Sequence, residues 1–149
     1  MSSHPDHETR GALARAGLRP LPVKEEIRRN LRQRKRAGAP TFAGIVGYEH
    51  TVIPQVENAL FAKHDFLLLG LRGQAKTRLL RQLTALLDEW TPVVAGCQIN
   101  DDPFAPICKR CRRLAEDSGD DLPIAWMHRD ERYHEKLATP DVTIADLIG

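Results

Sequence analysis

The sequence predicts an α/β fold in which helices flank a parallel β-sheet. Residues 66–69, Phe-Leu-Leu-Leu, form an uninterrupted apolar run, which is typical of a strand that is buried on both faces. From Thr77 to Trp90, leucines recur at the spacing of an amphipathic helix, and Pro92 ends the pattern. Residues 93–95, Val-Val-Ala, are predicted to form a second strand. A strand, a helix and a strand in this order make the unit from which parallel sheets are built.

Composition favours a globular protein with an uneven charge distribution. The 149 residues, 42% of them hydrophobic, suffice for one domain, or for one folded unit and a tail. Residues 1–40 carry ten Lys/Arg and four Asp/Glu, a net charge of +6, which leaves −4 for the remainder (12 basic, 16 acidic). The chain has no signal-peptide pattern and no run near the roughly 18 apolar residues of a membrane span. We expect a cytoplasmic protein without a membrane partner.

The sequence divides into a basic leader, residues 1–40, and a compact part, residues 41–149. In the leader we predict a mobile arm up to Pro22 and one helix, residues 23–37. Such a basic helix binds nucleic acid or an acidic partner, or it lies solvated across the main domain. The second interpretation is favoured because no aromatic residues interleave the charges.

The compact part contains further predicted elements around the strand-helix-strand unit. Ile53 to about Lys63 has one apolar face and is predicted to be a helix. A second helix is predicted over residues 106–116, and residues 124–127 are expected to form a strand or hairpin arm. Thr143-Ile-Ala-Asp146 is similar to a capping box that opens a short helix.

Residues 70–77 have the composition of a phosphate-binding loop. The motif runs from the end of the predicted strand into the helix and consists of Gly70, Leu71, Arg72, Gly73, Gln74, Ala75, Lys76 and Thr77. Glycines let the backbone turn sharply and approach phosphates, a lysine contacts the β- and γ-phosphates, and a hydroxyl binds Mg²⁺. We therefore predict a site for ATP and Mg²⁺, with Lys76 as the phosphate ligand and Thr77 as the metal ligand.

Ala75 departs from this pattern, because the last glycine of GxxxxGK[ST] is expected at its position. If the position needs a positive φ, a Cβ costs about 1 kcal/mol or more; if φ is negative, alanine costs little. An ordinary strand-to-helix turn is the alternative, although such a turn has no need of the Lys-Thr pair.

These residues resemble the AAA+ ATPases, and among them the magnesium chelatase ATPase subunits, over residues 42–149. Residues 42–49, Phe-Ala-Gly-Ile-Val-Gly-Tyr-Glu, resemble the segment that precedes the family's P-loop. Residues 93–103 and the following Cys108-Lys-Arg-Cys111 are similar to an insertion after the second strand of chelatase-type subunits. The resemblance implies a P-loop NTPase fold, with Ile45, Val46 and Gly47 beside the adenine.

The resemblance also implies an ATP-driven homo-oligomeric ring that remodels a client protein, in the chelatase case the subunits that insert metal into a porphyrin. The family's acidic Asp-Glu pair follows a later strand. Asp88-Glu89 lies within the predicted helix and Asp130-Glu131 lacks an apolar approach, so neither is taken as that pair. The catalytic residues remain unknown, and we expect a chain that ends before the acidic strand and binds ATP without hydrolysing it.

Two other functions remain open at this point. A degenerate loop with Ala75 and no acidic pair is also consistent with a non-catalytic interaction module. If the basic leader is the main functional feature, the protein is instead a nucleic-acid-associated ATPase.

The three cysteines allow three interpretations. Cys97, Cys108 and Cys111 hold Zn²⁺ if a histidine such as His128 or His134 supplies a fourth ligand. Alternatively, the CxxC pair is a redox switch. The favoured interpretation is three reduced, unpaired thiols, because one CxxC without a second pair is a weak metal signal.

Overall fold

The computed structural model describes residues 4–136 and 143–145. These residues form five α-helices and two β-strands, joined by loops and by 3-10 turns. The elements are α1 (Arg10–Arg15), α2 (Val23–Arg36), α3 (Val52–Phe61), α4 (Lys76–Arg81), β1 (Trp90–Val94), α5 (Lys109–Ser118) and β2 (Ile124–His128). The 3-10 helices are Gln82–Leu86, Gly119–Asp121 and Arg129–Arg132.

Helices α2, α3 and α4 pack around the larger of two apolar cores, and we call this part the helical region (residues 23–89). Its buried residues are Leu31, Phe42, Ile45, Val56, Leu60, Leu79 and Leu86. The leader helix α2 has acidic residues in its first turn and basic residues in its last, which complements the helix dipole. Salt bridges Lys35–Glu57 (2.9 Å) and Arg29–Asp88 (2.5 Å) attach α2 to the rest of this region.

The second part, the sheet region (residues 4–22 and 90–132), is built on an antiparallel pair of strands. β1 and β2 pair from Trp90 opposite His128 to Val94 opposite Ile124. The leader continues this hydrogen bonding, because the N–H of Ile124 donates to the carbonyl of Glu8 (3.0 Å). α5 packs its buried Cys111 onto one end of the strands, where Val94 and Leu122 complete the smaller core.

A buried ion pair connects the two regions. The guanidinium of Arg132 donates to both carboxylate oxygens of Glu26 (2.8 and 2.6 Å), and the two side chains are 10% and 3% exposed. The same carboxylate accepts the backbone N–H of Asp88 (2.8 Å). This contact fixes the start of α2 against the end of the sheet region.

The predicted parallel sheet flanked by helices, and with it the P-loop NTPase (AAA+) fold class, is wrong. The sheet of the described residues has two strands, and they are antiparallel. Residues 66–69 form no strand: Phe66 and Leu68 pack against the helical core, whereas Leu67 and Leu69 are 79% and 84% exposed. The apolar run predicted a strand buried on both faces, but only one face of this segment is covered.

The helix predicted from Thr77 to Trp90 is much shorter than its leucine spacing indicates. α4 passes into a 3-10 helix that ends at Leu86, and Leu87 is already extended (φ −87°, ψ 154°). The next residue, Asp88, is bound by Arg29 and Asn30 of α2. These contacts hold the chain in an extended path that leads into β1, so tertiary contacts override the helical periodicity.

Other predicted elements are confirmed with small shifts. α2, α3 and β2 lie where the sequence predicts them, and the helix expected from residue 106 begins at Lys109. The mobile arm predicted up to Pro22 is wrong: α1 lies there and buries Leu13, and the N–H of Arg10 donates to the carbonyl of Leu122 (2.9 Å). The stretch has no sustained period, so packing against the sheet region decides its structure. The predicted capping box at residues 143–146 lies partly outside the described residues. Within the described part of the chain, no helix has the length and apolar character needed to cross a bilayer.

Candidate functional site

The predicted phosphate loop, residues 70–77, lies between the extended segment 66–69 and α4. Positive φ angles occur at Gly70 (155°), Gly73 (81°) and Ala75 (56°). α4 then begins at Lys76. The loop therefore turns repeatedly within six residues, which is the local conformation that its glycines favour.

Lys76 turns back into this loop. Its Nζ donates to the carbonyl oxygens of Gly70 (2.8 Å) and Leu71 (2.5 Å). Gly70 has a φ of 155°, which residues with a side chain rarely adopt, and an added Cβ would also displace the exposed end of the Gln74 side chain. Thr77, the next residue, is exposed. The ammonium group is thus held by the loop, and the exposed Thr77 follows it in the first turn of α4.

Ala75, which stands where the motif has its last glycine, adopts the left-handed conformation. Its φ and ψ angles are 56° and 15°, and it precedes the first residue of α4. For a residue with a Cβ this conformation costs about 1 kcal/mol or more. The sequence left open whether this position has a positive φ, at which a Cβ is costly, or a negative φ, at which alanine costs little. The structure has the positive φ.

A cleft next to the loop brings together residues from two separate predicted segments. It is lined by Ile45, Tyr48, Val52, Leu68, Leu69, Gln74, Ala75, Lys76 and Leu79. Of the three residues that the family resemblance places beside adenine, Ile45 lines this cleft. Val46 instead is 82% exposed, and the N–H of Gly47 donates to Glu49 (2.8 Å). Sequence reasoning did not single out Tyr48, whose hydroxyl lies 3.5 Å from the carbonyl of Gln74.

The two acidic pairs considered from the sequence have structural partners. Asp88 accepts hydrogen bonds from Arg29 and Asn30 of α2. Glu131 accepts the backbone N–H of His128 (3.1 Å) as part of a capping box on the last 3-10 helix. These contacts place Asp88 and Glu131 in the scaffold and assign them no role at the loop.

A second candidate site lies in the sheet region, where the three cysteines meet an aspartate. The thiol sulfurs of Cys97, Cys108 and Cys111 and a carboxylate oxygen of Asp101 all lie within 4.8 Å of one another. We call these four residues the Cys/Asp cluster. His128, suggested from the sequence as a fourth ligand, instead packs its ring against Trp90, with 4.9 Å between centroids.

His134, the other suggested ligand, follows the last 3-10 helix and is not a member of the cluster. Sequence reasoning missed Asp101 because it looked for histidine. The sequence signal that was available is the acidic pair Asp101-Asp102 between Cys97 and Cys108, which does not say which of the two faces the thiols.

Three elements position the cluster. Cys97 lies in a turn directly after β1, where its N–H donates to the carbonyl of Val94 (3.1 Å). Asp101 is held from the same strand, because its carbonyl accepts the N–H of Val94 (2.9 Å). Cys108 is the N-cap of α5, and Cys111, fully buried, lies in the first turn of that helix.

Hydrogen bonds within the cluster favour the charged form of some of its members. Burial opposes ionisation of Asp101, yet bonds from the Cys108 thiol and from the N–H groups of Ile107 (3.2 Å) and Cys108 (3.1 Å) hold its pKa below the ordinary value. At Cys97 burial also opposes the thiolate, but backbone donors, first that of Asp101 (3.4 Å), lower the pKa. Burial raises the pKa of Cys111 to about 12.

Comparisons of the chain with protein-family models, with curated proteins and with solved structures give no match. The resemblance to AAA+ ATPases and the expectation of a ring therefore remain predictions from sequence motifs. The chemistry of the two candidate sites has to be argued from their own residues.

Proposed function

We propose that this chain is a nucleotide-binding module that holds ATP with Mg²⁺ at residues 70–77. One observation carries the proposal: Lys76, predicted from the motif as the phosphate contact, and Ile45, which the family resemblance implies lies beside adenine, line the same cleft. They come from segments about thirty residues apart in the sequence. A cleft with apolar walls and a few polar groups at one end is the usual form of a small-molecule site.

The role of Lys76 would be to bind the phosphates. Its ammonium group is bonded to two neutral carbonyl oxygens of the loop, those of Gly70 and Leu71. Bonds from an ammonium group to charged phosphate oxygens are shorter and stronger than bonds to neutral acceptors. Phosphate would therefore compete well for Lys76, and the two carbonyls keep the side chain at the loop until it does.

The exposed hydroxyl of Thr77 would be the protein ligand of Mg²⁺. Mg²⁺ takes oxygen ligands and commonly keeps several waters while it binds the phosphates of a nucleotide. When bound, it neutralises part of the phosphate charge. One hydroxyl at the exposed edge of the loop is sufficient for this mode of binding, because the nucleotide and water supply the other ligands.

The proposal concerns binding and leaves hydrolysis aside. Asp88 and Glu131 are committed to scaffold contacts, and the strained Ala75 is expected to weaken the site relative to a loop with glycine. The family membership, the ring and the client protein remain predictions.

Titration of the purified chain with ATP, with and without Mg²⁺, tests the proposal. Lys76→Ala removes the phosphate contact and should weaken binding at least about tenfold, because a charge-assisted bond contributes about 1.5–3 kcal/mol. Lys24→Ala is the matched control, since Lys24 forms an exposed ion pair with Asp65 and does not line the cleft. If the wild-type chain binds no ATP, or if Lys76→Ala binds as tightly as the control, the proposal is wrong.

The metal contact is tested separately at Thr77. Thr77→Ala should reduce the gain in ATP affinity that Mg²⁺ gives, whereas Thr77→Ser retains the hydroxyl and should preserve it. Equal Mg²⁺ dependence in Thr77→Ala and the wild type would remove Thr77 from the site.

A further inference from the structure

We infer that Cys97, Asp101, Cys108 and Cys111 are the four ligands of a structural zinc site. This site belongs to the sheet region and is independent of the proposed nucleotide site. The inference rests on the convergence of four ligand groups, two from the turn and loop that follow β1 and two from the start of α5.

The spacing of the ligand atoms suits a tetrahedral metal. Zinc lies about 2.3 Å from thiolate sulfur and about 2.0 Å from carboxylate oxygen, which places neighbouring ligand atoms about 3.5–3.8 Å apart. The four atoms of the Cys/Asp cluster already lie within 4.8 Å of one another. A contraction of about 1 Å at the widest pair, within reach of side-chain rotations, completes the geometry.

The ligand types select zinc among the common metals. Three thiolates exclude the hard cations Mg²⁺ and Ca²⁺, which take oxygen ligands. The carboxylate is a poor ligand for the soft Cu(I), whereas Zn²⁺ accepts sulfur and oxygen ligands together. Four protein ligands leave no open position for a substrate, so the site is structural.

The burial of Asp101 is the second argument for a cation. The residue is 4% exposed, and its two carboxylate oxygens accept the N–H groups of Ile107 and Cys108. Among the described residues, no lysine or arginine forms a salt bridge with it. A buried carboxylate is costly unless a cation accompanies it, and three thiols around it supply the remaining ligands for one.

Backbone donors around the cluster also hold the sulfurs in place. The N–H of Asp101 donates to Sγ of Cys97 (3.4 Å), and the N–H of Cys111 donates to Sγ of Cys108 (3.2 Å). Partners that orient the ligand atoms in this way are typical of metal centres. The segments themselves are joined by the carboxylate of Asp101, which accepts the N–H groups of Ile107 and Cys108.

A redox pair between Cys108 and Cys111 is the competing assignment. Cys108 at the N-cap of α5 is in a favourable place for a reactive thiol. Thiol-disulfide exchange, however, gives no reason for Asp101 and Cys97 to converge on the same point. The role of Asp101 therefore distinguishes the two assignments.

The first test is the metal content of the full chain, purified at neutral pH with reductant and without chelator. Elemental analysis should find one zinc per chain. After removal of the zinc, Co²⁺ alone should restore the site and give the absorption of a thiolate-bound tetrahedral cobalt. A reduced wild-type chain that takes up neither metal overturns the inference, whether or not Cys108 and Cys111 form a disulfide when oxidised.

The second test measures zinc affinity by competition with a chromophoric chelator. Asp101→Asn keeps the size of the side chain but removes its charge. Loss of a residue that only orients a metal ligand weakens binding about 10–100-fold, so loss of the charged ligand itself should weaken zinc binding by at least this much. Asp102→Asn is the matched control, because Asp102 caps the N–H of Phe104 (2.8 Å) and is not a member of the cluster. Equal affinities of the two variants would exclude Asp101 as a ligand and overturn the four-ligand site.

Cys111→Ser serves as a third variant and should lose more zinc affinity than Asp101→Asn. Since Cys111 is fully buried, its variant is also checked for folding by circular dichroism. Retention of stoichiometric zinc by a folded Cys111→Ser chain contradicts the site as well.

Discussion

The helical region and the sheet region present their candidate sites in opposite ways. In the helical region, the polar groups of residues 70–77 are exposed, and the charge of Lys76 is held by carbonyls of its own loop. In the sheet region, Asp101 and Cys111 are buried, and their ligand atoms converge. The loop of the first site follows from consecutive residues, although its cleft also needs Ile45 from an earlier segment. The four ligand atoms of the second site meet because the turn after β1 folds back onto the start of α5.

The largest predicted effect concerns the ion pair that joins the two regions. Arg132→Ala leaves the carboxylate of Glu26 buried and without its guanidinium partner. We expect a loss of about 3–5 kcal/mol in the free energy of unfolding, because an uncompensated buried charge remains. Urea denaturation followed by circular dichroism and by tryptophan fluorescence measures it. The two regions should still unfold in one transition, because the N–H of Asp88, just before β1, also binds the Glu26 carboxylate and the chain connects the regions directly.

Arg81→Ala is the matched control for this prediction. Arg81 also binds a glutamate, Glu135, through two nitrogens (2.8 and 2.9 Å), but at the surface. Exposed pairs contribute little, so this variant should differ only slightly from the wild type. Similar losses for Arg132→Ala and Arg81→Ala would show that burial of the Glu26 pair is not what makes it important.

The sequence predicts the local structure of the loop better than the sheet around it. The start of α4 at Lys76 and the sharp turns at Gly70 and Gly73 follow from the motif, which is a property of consecutive residues. The expected parallel sheet depended on which segments become neighbours. Long-range contacts decide which segments become neighbours: the contact of Asp88 with Arg29, for example, directs the chain into β1. The local periodicity of the sequence carries no information about such contacts.

Ala75→Gly tests the loop with an effect of intermediate size. Glycine adopts a φ of 56° without the penalty of a Cβ, so the folded state should gain about 1 kcal/mol of stability, less the greater freedom of glycine in the unfolded chain. ATP affinity should rise or stay equal. Thermal unfolding and nucleotide titration measure both quantities.

Gly73→Ala gives the opposite change at a second positive φ (81°) and should destabilise the chain. A stabilising Gly73→Ala, or a strongly destabilising Ala75→Gly, would contradict the assigned loop conformation.

The Cys/Asp cluster shows what sequence reasoning can find at a site made from separate segments. The type and spacing of the three cysteines allow a zinc site, although the interpretation that the sequence favours is three unpaired thiols. The fourth member was sought among histidines, yet His128 packs against Trp90 on the sheet. Asp101 becomes a member because Val94 of β1 and the loop before α5 hold it facing the thiols, and nothing in its immediate sequence neighbours distinguishes it from Asp102.

The smallest predicted effect concerns an exposed ion pair of the helical region, and an exposed glutamate of the sheet region serves as its control. The bond that Lys63 donates to Glu25 (2.6 Å) lowers the pKa of Glu25 in the folded chain. A lowered pKa means that the pair stabilises the fold above the unfolded pKa and that this contribution is lost as the pH falls through the folded pKa. Glu25→Gln should therefore be slightly less stable than the wild type at neutral pH, and the difference should vanish in acid. Thermal unfolding from neutral to acidic pH measures this difference.

Glu116→Gln, at an exposed position on α5, is the control and should show no such convergence over the same pH range. If both variants converge on the wild type equally, the acid dependence does not come from the Lys63 pair.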